Sequence, residues 1–116
     1  MSRNGLNMTN GIFDLAKESE IVGNIVVDAL MYPKIIKKGD DDRATEILMK
    51  EFVAFRQNLD PAIAYDQIDP KLESDALGAI VVDAFIDAGL VLPESRQLAF
   101  EIIAEEILVR RVMESL

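Results

Sequence analysis

The sequence predicts an all-α fold of four main helices, built as two duplicated helical hairpins related by a pseudo-two-fold axis. Three observations support this. Apolar residues recur at spacings of three and four over long stretches, which is typical of helices. Proline and glycine stand at the ends of these stretches. The phrase GNIVVDAL at Gly23–Leu30 returns as GAIVVDAF at Gly78–Phe85. A chain of 116 residues forms a single domain.

The two halves of the chain align without a gap at an offset of 55 residues. Of the 48 aligned pairs, 14 are identical, whereas chance would give about three. We expect repeat 1 to cover about residues 12–61 and repeat 2 about residues 67–116. Each repeat pairs a nearly all-apolar helix with an amphipathic one. Because a single hairpin could not hide its apolar face, we expect the two hairpins to bury their long helices together.

The first helix is predicted to begin near Ile12, after a flexible polar arm over residues 1–10. It should end at Pro33, because a helix interior does not accept proline. Its polar residues form one narrow stripe: Lys17, Glu20, Asn24 and Asp28. A helix with so narrow a polar stripe is mostly buried.

The second helix is predicted to run from about Asp42 to Asn58, after the turn residues KKGDDD. Its negative first turn suits the partial positive charge of a helix N-terminus. The apolar stripe of this helix consists of Ala44, Leu48, Phe52, Phe55 and Leu59. The Asp-Pro steps at 60–61 and 69–70 each resemble an N-cap followed by proline at the first helical position. We expect a short helical link between them.

The third helix is predicted over about Pro70–Ala88, with Gly89 ending it. Its polar stripe is Asp75, Ala79, Asp83 and Asp87. The fourth helix should run from Pro93 to about Met113. Its apolar face is Ile102, Ile103, Ile107 and Leu108. Glycine inside a helix costs about 1 kcal/mol, so the matched Gly23 and Gly78 indicate close helix crossings rather than space for one bulky neighbour.

The composition restricts the classes of function. The formal charge of −9 disfavours direct binding to nucleic acid and to anionic membranes. The chain has no cysteine and no histidine, which removes thiolate chemistry and the commonest general base. Since it also lacks a membrane-length apolar run and a signal-peptide pattern, we expect a cytoplasmic protein.

Candidate catalytic and metal sites have ordinary structural explanations. Asp28 and Asp83 could pair across the pseudo-two-fold axis, but helical spacing favours a solvent-facing stripe. The run starting at Asp40 has Ala44 and Thr45 at the fifth and sixth positions of a calcium loop, where a ligand and a glycine are required. No phosphate loop or nucleophile elbow occurs. We therefore expect no catalytic residue, no metal site and no cofactor.

Surplus apolar content on an acidic chain favours a non-enzymatic protein-protein interaction module of unidentified partner, such as a small regulator or accessory subunit, which forms a homodimer. The candidate partner-binding residues are Phe52, Phe55, Arg56, Arg110, Arg111, Val112 and Leu116. Glu51 with Arg56, and Glu106 with Arg111, recur in both repeats and could form ion pairs between the hairpins. Two alternatives stay open: an acidic inhibitor that mimics nucleic acid, and a small-ligand or metal-dependent enzyme with a pocket between the hairpins.

Overall fold

The protein is described here by a computed structural model. It describes the backbone of residues 3–58 and 69–114 and the side chains of residues 15–58 and 69–113. These ranges contain four α-helices and no strand, as the sequence predicts. The helices are α1 Arg3–Met31, α2 Asp41–Gln57, α3 Pro70–Asp87 and α4 Arg96–Glu114, with a 3-10 turn at Pro93–Ser95 before α4.

The four helices form an antiparallel bundle. We call α1 and α2 the first hairpin, and α3 and α4 the second hairpin. The neighbouring pairs are α1 with α2, α2 with α3, α3 with α4, and α4 with α1. Arg56 near the end of α2 contacts Glu73 near the start of α3, so these two helices also run in opposite directions. Both hairpin turns therefore lie at one end of the bundle.

The helix starts differ in part from the sequence-based predictions. The structure begins α1 at Arg3, before the predicted start near Ile12, so most of the expected polar arm is helical. No proline precedes Pro33 to interrupt that helix. At α3, Asp69 is the N-cap, its side chain accepts a hydrogen bond from the Lys71 amide at 2.9 Å, and proline occupies the first helical position, as predicted. The predicted helical link lies outside the described residues.

The start of α4 also differs. Pro93–Ser95 forms a separate 3-10 turn, and α4 begins at Arg96 instead of Pro93. The turn is closed by the Ser95 amide, which donates to the Leu92 carbonyl at 2.9 Å. Short 3-10 turns of this kind are frequent at the ends of α-helices. The polar stripe predicted on α1 is exposed to solvent along its whole length.

Each helix contributes one buried apolar face to a single core. The largest fully buried apolar side chains are Phe52, Phe85, Leu30, Ile36, Leu48, Leu77 and Ile103. The valines of the repeated phrase, Val26, Val27, Val81 and Val82, lie among them. The phrase that recurs in the sequence therefore supplies the centre of the core from both α1 and α3. Fully burying such a side chain contributes about 1.5–3 kcal/mol.

Local hydrogen bonds recur at positions 55 apart. In α1 the Ser19 hydroxyl donates to the Ala16 carbonyl at 2.6 Å, and in α3 the Ser74 hydroxyl donates to the Lys71 carbonyl at 3.0 Å. These bonds show that both serines satisfy their hydroxyls within their own helices.

The two hairpin turns share the same closing bonds. The amides of Ile35 and Ile36 both donate to the carbonyl of Leu30, and those of Leu90 and Val91 both donate to that of Phe85. The left-handed residue of the first turn is Lys34, at φ 65°. Its counterpart Gly89 has φ 77°. The first hairpin therefore places a lysine where the second uses glycine.

Gly23 and Gly78 both lie at helix contacts. A Cβ built on Gly78 would approach the Cβ of Ala104 at 3.2 Å and its Cα and amide nitrogen at 3.4 Å. On Gly23 it would approach the Thr45 Cγ2 at 3.1 Å and the Thr45 carbonyl oxygen at 3.5 Å. Gly78 thus faces the backbone of α4 directly, whereas Gly23 first meets a side chain of α2.

Candidate functional site

A largely buried group of four charged side chains joins the two hairpins near the middle of α1 and the start of α3. We call Glu18, Arg56, Glu73 and Arg111 the ion cluster. Arg56 contacts Glu18 at 3.0 Å and Glu73 at 3.2 Å, and Arg111 contacts Glu73 at 3.3 Å. Arg56 also donates a hydrogen bond to the second Glu73 oxygen at 3.3 Å. Glu73 therefore bridges an arginine from each hairpin.

The ion cluster is shielded from water and balanced in charge. The Glu73 side chain has 0% exposure and that of Arg111 has 7%, whereas Glu18 retains 21%. The guanidinium of Arg56 also lies 4.6 Å from the centroid of the Phe52 ring, within the range of a cation–π contact. Two positive and two negative charges compensate one another. Removing one member would leave a buried charge without its partner, which is strongly destabilising.

The sequence predicts that the arginines of this cluster form ion pairs between the hairpins, together with Glu51 and Glu106. In the described contacts, Arg56 meets Glu18 and Glu73, and Arg111 meets Glu73. Glu18 and Glu73 were also identical between the repeats. Their position beside the buried serine of each long helix is the pattern that could have identified them. Charges retained on a mostly apolar helix are expected to be paired.

A second feature is an exposed apolar stripe along α4. We call Leu98, Ile102, Val109 and Met113 the outer stripe. At about 100° per residue, these four positions fall within about 60° of arc on the helix. Leu98, Val109 and Met113 are 47–61% exposed, and Ile102 is half-buried. The outer stripe is distinct from the buried face of α4, which includes Ala99, Ile103 and Ile107.

Acidic residues interrupt and flank the outer stripe. Glu105 and Glu106 lie midway along it, about 50° to either side of its centre by helical geometry. Glu105 is exposed and Glu106 is half-buried. Two further exposed apolar side chains are Ile25 on the neighbouring helix α1, at 37%, and Tyr32 directly after that helix, at 92%.

The corresponding surface of α2 is more polar. Positions 55 residues before the outer stripe hold Arg43, Ile47, Ala54 and Asn58. In the described structure, shallow grooves between α2 and α3 are lined by Ile47 with Asp87, and by Ala54, Phe55 and Asn58 with Ile80. Three of the four stripe positions are thus more apolar on α4.

The structure distributes the predicted partner-binding residues among different environments. Phe52 is 1% exposed and belongs to the core, so it does not reach the surface of a single chain. Phe55 is half-buried beside a groove. Arg56 and Arg111 lie in the ion cluster.

Of the remaining three candidates, Val112 is exposed next to the outer stripe and Arg110 is half-buried. Leu116 lies outside the described residues. The surface that the structure offers on α4 is therefore centred on the outer stripe, with the predicted Val112 at its edge.

The two aspartates of the repeated phrase are both exposed. Asp83 forms an ion pair with Arg96 at 2.9 Å, and this hydrogen bond raises the pKa of the Arg96 guanidinium. Within the described ranges, no group of three or more carboxylates is placed to hold a metal ion. In the same ranges, none of the helices has the length and apolar character needed to cross a membrane.

Comparisons with known proteins found no match: no family model, no curated protein and no solved structure resembles this chain.

Proposed function

We propose that the chain is a non-enzymatic interaction module, a small regulator or accessory subunit that binds another protein through the outer stripe of α4. The observation that carries this proposal is the exposure of Leu98, Val109 and Met113 on one face of a helix whose other face is already buried. Scattered exposed apolar residues are normal on soluble proteins, but apolar residues aligned along one face of a helix are typical of an interaction surface.

We further propose that the module arose by duplication of one hairpin, with a pseudo-two-fold axis along the bundle. The matched serine bonds, the matched turn bonds and the ion cluster support this origin. Under this relation α2 serves as a reference for α4. The two helices share inward contacts, whereas the outer stripe has gained apolar side chains. Additional apolar side chains on the outer surface of one hairpin are what a binding role on that hairpin predicts.

Self-association through the outer stripe would take an antiparallel form. Leu98 would then face Met113 of the second copy, and Ile102 would face Val109. The centre of this contact lies between Glu105 and Glu106, so the glutamates of the two copies would repel each other there. The predicted homodimer should therefore be weak at low salt and strengthen as salt screens the repulsion. Light scattering over a concentration series at low and high salt measures this directly.

The binding role is tested with a variant that carries the residues of α2 on α4. Leu98→Arg, Val109→Ala and Met113→Asn reproduce Arg43, Ala54 and Asn58. Because α2 folds with those side chains, the triple variant should remain helical and stable. The wild type and this variant are each used to capture proteins from the source cell under identical conditions. We expect at least one protein to be captured stoichiometrically by the wild type and lost with the variant.

A control variant distinguishes the outer stripe from the groove between α2 and α3. Ile80→Ala removes an exposed apolar side chain from the groove between α2 and α3 and leaves the outer stripe intact. This control should capture the same protein as the wild type. Equal capture by all three proteins would contradict a role for the outer stripe. Loss with Ile80→Ala alone would move the binding surface to the opposite side of the bundle.

A further inference from the structure

We propose that the partner which occupies the outer stripe is a basic amphipathic helix, with two pairs of apolar residues on either side of a central pair of lysines or arginines. This inference rests on the proposed binding role of the outer stripe and names the chemistry of its partner. Laying an amphipathic helix against an apolar groove is a common mode of peptide recognition.

The spacing of the outer stripe determines the apolar part of the partner. Its residues are separated by four, seven and four positions. From Leu98 to Met113 they extend over about 22 Å of helix, or about four turns. A partner helix with apolar residues at the same spacing, running antiparallel to α4, would meet each of them in turn. The seven-residue interval leaves a gap in the middle of both helices.

The charges beside that gap determine the polar part of the partner. Glu105 and Glu106 flank the middle of the outer stripe, one on each side. Two adjacent basic residues at the centre of the partner helix would occupy the same two flanks and face these carboxylates. The net charge of −9 favours the approach of a basic helix as well.

The same charges argue against a second copy of this chain as the main occupant. An antiparallel copy would bring its own Glu105 and Glu106 to the centre of the contact. A basic helix converts each of these repulsions into an attraction.

The probe is a labelled, alanine-rich helical peptide of about 18 residues, long enough for about five turns. It carries leucines at the spacing of the outer stripe and two central lysines. A matched peptide has two central glutamates, and a third has the lysines with the leucines scrambled. Binding to the full chain is followed by fluorescence anisotropy. We expect a Kd on the order of 10–100 μM for the lysine peptide at low salt. The glutamate peptide should bind at least about tenfold more weakly, with the difference shrinking as salt is added.

Variants of the full chain test which of its residues determine the preference for one peptide over the other. Glu105→Lys combined with Glu106→Lys should reverse the preference to the glutamate peptide. The stripe variant with Leu98→Arg, Val109→Ala and Met113→Asn should bind neither the lysine peptide nor the glutamate peptide. Lys50→Glu on α2, at the position 55 residues before Glu105, should leave the binding of both the lysine and the glutamate peptide unchanged.

The possible outcomes separate this inference from the proposed function. Equal binding of the lysine and glutamate peptides, abolished in the stripe variant, would overturn the basic partner and retain the apolar binding surface. Binding of the scrambled peptide as tightly as the lysine peptide would overturn the predicted spacing. Failure of all peptides to bind, together with a dimer in the wild type that the stripe variant lacks, would identify a second copy as the occupant. Failure of all peptides with a monomer throughout would overturn the inference.

Discussion

The two hairpins of this protein share several inward contacts and differ most clearly on the outer surface of the second helix. Both close their turns with the same pair of hydrogen bonds, and both contribute one glutamate and one arginine to the ion cluster. On the outside, Leu98 and Met113 of α4 stand where α2 has Arg43 and Asn58. Packing constrains the inward positions because neighbours on all sides must fit. The outer positions had no such constraint and could become different surfaces.

The largest expected effect separates the two glutamates of the ion cluster. Glu73→Gln keeps the shape but removes a fully buried charge that contacts two arginines. We expect a loss of about 3–5 kcal/mol in the free energy of unfolding, because two buried guanidinium groups lose their shared carboxylate. Glu18→Gln, at a partly exposed position, should cost clearly less. Urea denaturation followed by circular dichroism measures both, and equal losses would show that the two sites are equivalent.

The next effect concerns the glycines of the repeated phrase. Gly78→Ala would press a methyl group against the Cβ of Ala104 at 3.2 Å, which is fixed to the backbone and cannot yield without moving α4. We expect a net loss of about 1–2 kcal/mol, as overpacking exceeds the gain in helix propensity. Gly23→Ala meets the Thr45 methyl group, which can rotate away, and should be near neutral. Denaturation midpoints of the two variants test this order, and a reversed order would show that α1 and α2 approach more closely than α3 and α4.

A smaller, stabilising effect is expected in the first turn. Lys34 adopts a left-handed backbone conformation that is costly for a residue with a Cβ, and its counterpart is Gly89. Lys34→Gly should therefore raise the free energy of unfolding by about 0.5–1 kcal/mol. Gly89→Ala should lower it by about 1 kcal/mol, which provides the matched control. Thermal unfolding of both variants measures the two signs, and the same sign in both would contradict the argument.

The smallest effect should come from the ion pair that the second hairpin alone can form. Asp83 pairs with Arg96, whereas the corresponding positions of the first hairpin are Asp28 and Asp41, which repel. Both partners are solvent-exposed, so Asp83→Asn should lower stability less than the changes at Glu73, Gly78 and Gly89. The difference should vanish in about 0.5 M salt, where exposed charges are screened. A loss that persists at high salt would show that the pair is more buried than its exposure indicates.

Much of the fold could be predicted because helical periodicity and its interruptions are local. The bounds of α2 and α3 agree with the sequence to within a residue, because Asp40–Asp42 and the Asp69-Pro70 step are local start signals. The start of α1 was misjudged, since a polar segment without proline can be helical or extended with little local difference. The aspartates of the KKGDDD segment form the start of α2, as the sequence predicts.

The candidate site could be predicted only in part. Phe52 and Leu98 are both large apolar residues on amphipathic helices, yet Phe52 is buried and Leu98 is 53% exposed. A helix with more apolar residues than one face can bury does not reveal which of them the neighbouring helices will cover. The same holds for Arg56, because its sequence position does not show that it will contact Glu18 of α1 and Glu73 of α3.

The sequence by itself determined that this chain is helical and where its turns fall. Helical periodicity, proline, glycine and N-caps depend on a few neighbouring residues, so they can be recognised in the sequence. The tertiary structure alone decided which charges meet in the ion cluster and which apolar residues remain on the outer stripe. Those outcomes depend on which helix faces are brought together. Whether a side chain is buried depends on the assembled bundle and not on its own helix alone.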